Sequence, residues 1–172
     1  MSDVAEKTYN DFTLPPSVVS KVDVSRMVTE VERVDNEMTA AAVRNNNDSM
    51  EVAVPVLSQQ LTDFLSQNDL KLDNGKLRSD LITQLRILKD KVPIIHMTFA
   101  VTADPTSLQE LAQWVRANIE PKAVIAVGLQ PALVAGVYLR TPNHIHDLSL
   151  RGILKGQHDL LVNELGALRG SK

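Results

Sequence analysis

The chain has 172 residues, 44% hydrophobic but only 3% aromatic, enough for one moderate core or two small ones and too few aromatic anchors for a large ligand pocket. A net charge of −3 and a pI near 5.8 offer no positive field to phosphate backbones, so nucleic-acid binding is disfavoured. With no cysteine, disulfides, thiolate nucleophiles and sulfur-ligated zinc are excluded. The start, MSDVAEKTYNDFT, has neither a basic opening nor an apolar run, and no stretch approaches ~18 uninterrupted apolar residues. A soluble, cytoplasmic chain is the expectation.

Two halves differ in character. Up to Val92 there are 11 basic and 15 acidic residues, net −4; beyond it there are 7 and 6, net +1, together with all four histidines. The hydrophobic period also changes from helical spacing to short alternating runs, which marks a domain boundary. Three segments are expected: a mobile polar tail at 1–13, a helical domain at 14–92, and an α/β domain at 93–172.

In the helical half, Val24, Met27, Val28, Val31, Val34, Met38 and Ala41 recur at intervals of three and four, predicting one long amphipathic helix with Asp23 as its N-cap. The polar run Asn45 to Asp48 interrupts it. Leu57, Leu61, Phe64 and Leu65 predict a second helix, and Leu77, Leu81, Ile82, Leu85 and Leu88 a third after the turn Asp73-Asn74-Gly75, completing a small bundle. The second half reads β-α-β-β-β-α. Strands are predicted over PIIHMTFAV, KAVIAVGL, LVAGVYLR and HIH, the first helix over ADPTSLQELAQWVRANIEP, and the last on Leu150, Ile153, Leu154, Leu160, Leu161, Leu165 and Leu168. Asp104 suits the N-cap of the first helix, Pro105 its first position, and Pro121 its end. The fold class is therefore α+β: a small helical bundle, then a small mixed sheet covered by helices.

Few residues suggest chemistry. His144 and His146 are two apart, so in a strand both rings share a face, as paired zinc ligands would, with Asp147 or His158 as further donors. Against this, tetrahedral sites need at least three convergent ligands, and Ile145 facing the core would turn both histidines into water. His146, Asp147 and Ser149 are the residue types of a hydrolase triad, but adjacent positions do not place them in sequential hydrogen-bond reach. Asp147 or Ser149 is instead expected to cap the last helix. No phosphate-cradling glycine loop is present. Gly136 inside a strand implies a bulge or the close approach of a facing helix. Trp114 is expected at the edge of the core.

The segments IHMTFAVTADPTSLQELAQWV and VGLQPALVAGVYLRTPNHIHDLSLRGIL, in this order, resemble the C-terminal region of the delta subunit of F-type ATP synthases, the oligomycin-sensitivity-conferring protein family. Pro131, Leu133, Gly136, Asp147, Ser149 and Leu154 stand at the positions of that family's strand-opening and D-x-S motifs, over roughly residues 94–154. Gln130, Ala135 and Leu148 depart from it, and three helices stand where the family has about six. The resemblance implies a non-catalytic stator subunit with no cofactor or metal. It would link the catalytic head to the peripheral stalk during proton-driven ATP synthesis, and be membrane-associated only through the complex. Its partners would be the N-terminal helices of the alpha subunit and the b-type stalk helices. Apolar contact residues are expected on the first helix (Met27, Val31, Val34, Met38) and the last (Leu154, Leu161, Leu165). The alternative from another class is a small metal-dependent or ligand-binding module using the His144/His146/Asp147 edge.

Overall fold

Apolar residues spaced at three and four leave the first third of the chain only a helical way to bury them, and the computed structural model follows that pattern. It describes residues 7–45, 55–141, 143–157 and 162. The chain is α+β, with three N-terminal helices followed by a four-stranded mixed sheet with helices. It divides into two compact units, Met1–Pro93 with Gln109–Val124, and Ile94–Leu108 with Ile125–Lys172. Gln109–Val124 is thus grouped with the N-terminal helices.

In the first unit, α1 (Lys21–Asn45) packs against α3 (Gly75–Lys91), with α2 (Gln59–Gln67) beside α1. Val24, Met27, Val28, Val31 and Val34 of α1 are buried, as are Leu61, Phe64 and Leu65 of α2 and Leu81, Leu85 and Leu88 of α3. Leu77 is exposed, and the neighbouring Arg78 is buried instead. Its guanidinium donates to Asp35 Oδ1 at 2.7 Å and to the Leu72 carbonyl at 2.9 Å, so its charge is fully engaged.

The start of α1 corrects the expected cap. The helix begins before Asp23, whose carboxylate folds back to accept from the Val19 and Ser20 amides at 3.1 and 2.8 Å. Ser20 Oγ in turn receives the Asp23 amide at 3.4 Å, which makes a reciprocal capping box with Ser20 as the cap. A second correction concerns residues 7–13, expected as part of a mobile tail. Phe12 is buried edge-on against Phe64 with centroids 5.3 Å apart, and Thr13 N–H donates to Asn68 Oδ1 at 2.8 Å. Two aromatics, Tyr9 and Phe12, in an otherwise polar segment make no periodic pattern, so pattern reading missed this anchoring.

Arg116, near the end of α4 (Pro105–Asn118), ties the chain together at this level. It donates Nε to the Ala123 carbonyl at 3.0 Å, Nη1 to Leu14 and Pro15 at 3.4 and 3.0 Å, and Nη2 to Val18. Burial pushes its pKa down to about 10, still well above neutrality, so it stays charged. At the other end of α4, Asp104 caps as expected, accepting from Ser107 N and Oγ at 3.0 and 2.6 Å, with Pro105 at the first position.

The sheet has the order β2-β1-β3-β4, comprising β1 (Ile94–Phe99), β2 (Val124–Leu129), β3 (Gly136–Arg140) and β4 (Ile145–Ser149). β3 runs antiparallel to both neighbours, with Met97 opposite Leu139 and Leu139 opposite His146. Val124 N–H reaches Pro93 O and Gln130 N–H reaches Phe99 O, so β2 lies parallel to β1, as a strand-helix-strand connection requires. Ile95, Met97, Val124, Ile125 and Leu139 are its buried apolar residues, and Ser149 is buried at the end of β4. α5 (Leu150–Gly156) follows β4 without a loop.

Candidate functional site

Five of the residues that carried the sequence resemblance, Pro131, Leu133, Gly136, Asp147 and Ser149, lie in or beside the β3–β4 hairpin and shape the backbone or cap α5, while Leu154 lies exposed on α5. Pro131 lies, as its place before the predicted strand suggests, in a short 3-10 turn (Pro131–Leu133); Leu133 shares that turn instead of opening the strand, which begins only at Gly136. Gly136 is thus the first residue of β3, not its middle. Its φ is +93°, and a Cβ there would stand 2.3 Å from the Leu148 carbonyl oxygen. The close approach expected of a helix is made by the β4 backbone, and only glycine satisfies both demands.

Between that turn and Gly136 lies an outlier with no signal in the sequence. Val134 has φ 65° and ψ −54°, and the Ala135 amide donates to the Leu133 carbonyl at 2.7 Å. This is a γ-turn centred on a β-branched residue, a conformation such residues rarely occupy. Val134 is 73% exposed.

Across the hairpin, Asp147 Oδ1 accepts from Ser149 N at 3.0 Å and Ser149 Oγ at 2.5 Å, while Ser149 Oγ accepts from Gly152 N at 3.0 Å. Ser149 is the N-cap of α5, as expected of this pair, and Asp147 holds that cap. The Ser149 hydroxyl and amide, with a smaller contribution from Arg151, keep the Asp147 carboxyl below its ordinary value. Gly152 leaves room for the carboxylate: a Cβ there would meet Asp147 Cγ at 2.7 Å.

Ser149 is buried, and its hydroxyl is bound by Asp147 and the α5 amide, so it is positioned as a cap and not as a nucleophile. His144 and His146 lie on one side of the hairpin edge with ring centroids 6.2 Å apart, both exposed. Ile145 is exposed as well, which corrects its expected place in the core: β4 is an edge strand, covered on neither face at that point. Asp147, one residue on, belongs to the opposite face of the strand. Among the described residues no group of three or more His, Asp or Glu side chains is placed to hold a metal ion; His158 lies outside them.

The expected contact residues divide sharply. Met27, Val31 and Val34 are buried inside the helical bundle and Met38 is half-buried, so the α1 stripe is core and not a free surface. Burial within its own unit is the default for the apolar stripe of a long helix, which is why the stripe turns inward. The outward face of α1 instead bears Val22, Ser25, Arg26, Thr29, Glu30 and Arg33 along a shallow groove. On α5, Leu150, Ile153 and Leu154 are 43%, 53% and 49% exposed. Leu161 and Leu165 lie outside the described residues. Trp114, expected at the core edge, is exposed. Val134, Ile145 and Leu148 also present apolar side chains to solvent, and pattern reading assigned none of them to a surface.

Compared with known proteins, the chain matches no family model and no curated sequence. Among the described residues no helix is long and apolar enough to cross a membrane.

Proposed function

We propose that this chain is a non-catalytic connector, a peripheral-stalk subunit of the delta type in an F-type ATP synthase. In that role it joins the catalytic head to the b-type stalk helices at the cytoplasmic face of the membrane. The observation that carries this is the division of labour at the hairpin corner. Pro131, Leu133, Gly136, Asp147 and Ser149 are engaged in backbone geometry or capping, while the adjoining helix leaves Leu150, Ile153 and Leu154 uncovered. Such a module binds by surface and performs no bond chemistry.

Burial of the α1 stripe narrows the proposal. Contact with alpha-subunit helices falls to the outer face of α1, around Val22 and Thr29, and contact with the stalk to the α5 side. The metal-dependent alternative has only the His144–His146 pair in its favour, one ligand short of the minimum. The test is co-purification of the tagged chain with alpha and b-type subunits, together with elemental analysis. Stoichiometric complexes without bound zinc are expected; one zinc per chain with neither subunit captured removes the proposal.

A further inference from the structure

We infer that His144 and His146 are one half of a zinc site that a second copy of this chain completes, with the two β4 edges paired antiparallel about Ile145. This does not depend on the connector proposal, because a chain held singly in an assembly presents half a site and takes up no ion.

The half-site is built into the hairpin. β4 stands last in the sheet order and pairs with β3 along one edge, so its other edge carries unpaired backbone groups. Strand alternation sends the side chains of His144 and His146 to one face. Thr141 fixes the tip: its amide and hydroxyl donate to the His144 carbonyl at 2.8 and 3.1 Å, and the His144 amide donates to the Thr141 hydroxyl at 3.0 Å. These bonds use the backbone of His144 and leave its exposed ring available, as is the exposed ring of His146. The ring centroids are 6.2 Å apart, against about 5 Å for two imidazoles bound at ~2.0–2.1 Å to one tetrahedral ion, a gap that rotation of exposed rings closes.

Two imidazoles leave a tetrahedral ion half coordinated, and a two-fold edge pairing supplies the rest. Directly opposite residues of antiparallel strands share a face. A register centred on Ile145 sets His144 opposite the partner's His146, and His146 opposite the partner's His144. The four Cβ atoms then mark a rectangle of roughly 5 by 7 Å, with every corner in reach of one ion above its centre. Moving the centre to His146 sets His144 opposite Leu148, so the ion selects the register. On the other face Ile145, 58% exposed in the single chain, meets its own copy. Arg140 pairs with Ile145 and so shares that face, away from the ion. A contact confined to residues 143–147 falls far short of the ~1,000 Å² of a stable interface, so the pairing needs the metal.

Sedimentation velocity and elemental analysis of the full-length chain, with zinc chloride, magnesium chloride or EDTA added, test the inference. Zinc should convert monomer to dimer at one zinc per two chains, and magnesium and EDTA should leave the monomer. His144→Ala and His146→Ala, at exposed positions, should each weaken zinc-driven dimerisation at least roughly tenfold with unchanged circular-dichroism spectra. Ile145→Lys removes no ligand but sets two like charges face to face, and should weaken the dimer several-fold. His158→Ala should change nothing. Zinc held by single chains, dimers that persist in EDTA, dimerisation indifferent to either histidine or to Ile145→Lys, or its loss in His158→Ala overturns the inference. Capture of alpha and b-type subunits is a separate readout, so either proposal can fail without the other.

Discussion

Replacing Arg116 with methionine keeps the apolar stem and removes the guanidinium that holds four carbonyls, those of Ala123, Leu14, Pro15 and Val18. Hydrogen bonds from a charged donor contribute roughly 1.5 to 3 kcal/mol each, which sets a large upper bound. Two effects reduce it. The cation is itself desolvated without a carboxylate to offset it, as its depressed pKa indicates, and the partly exposed site lets water reach some of the freed carbonyls. Ala123 and Val18 are fully buried, however, and their carbonyls lose a partner that water does not easily replace. A net loss of about 3 kcal/mol is expected for Arg116→Met, seen as a lower urea midpoint with unchanged slope. Arg116→Lys should recover no more than about a third, since an ammonium lacks the planar fork that spans four acceptors. A loss below about 1 kcal/mol in Arg116→Met would refute the view that this residue clasps residues 14–18 to the segment after α4.

Gly136→Ala should destabilise the chain by about 2 to 4 kcal/mol, because β4 must move away from the new methyl group; a melting temperature within error of wild type would refute it. Ser149→Ala removes the α5 N-cap at a cost of about 1 kcal/mol, measured by chemical denaturation. Ser17 Oγ is buried with no partner among the described residues, so Ser17→Ala should be neutral or stabilising by up to about 1 kcal/mol. Asp11, Asp104 and Asp147 are held below the ordinary carboxylate value by the hydroxyls of Thr8, Ser107 and Ser149. Depressed folded-state values mean that their contribution is complete above the unfolded value near 3.8 and is lost as pH falls through the folded ones. Acid titration should therefore show stability level above pH ~5 and declining below ~4, with the decline reduced in Ser149→Ala.

The sequence alone determined the succession of elements and where several of them start. Helical spacing of α1, the Asp104-Pro105 opening of α4, and the Ser149 cap of α5 are local matters, settled by residues within a turn of one another. The identity of the motif positions was equally legible, since glycine at 136 and the Asp-x-Ser order are requirements of backbone geometry that side-chain type reveals directly. Only the tertiary structure decided which apolar residues remain outside. Met27 and Leu154 carry the same kind of sequence signal, an apolar residue at helical spacing, yet one is buried within its unit and the other is half-exposed. Periodicity reports that a face wants burial; it does not report whether another element of the same chain lies close enough to provide it. Phe12, Arg116 and Val134 lay beyond pattern reading for a related reason: each owes its role to groups distant in sequence or to a dihedral angle that no alternation of residue types encodes.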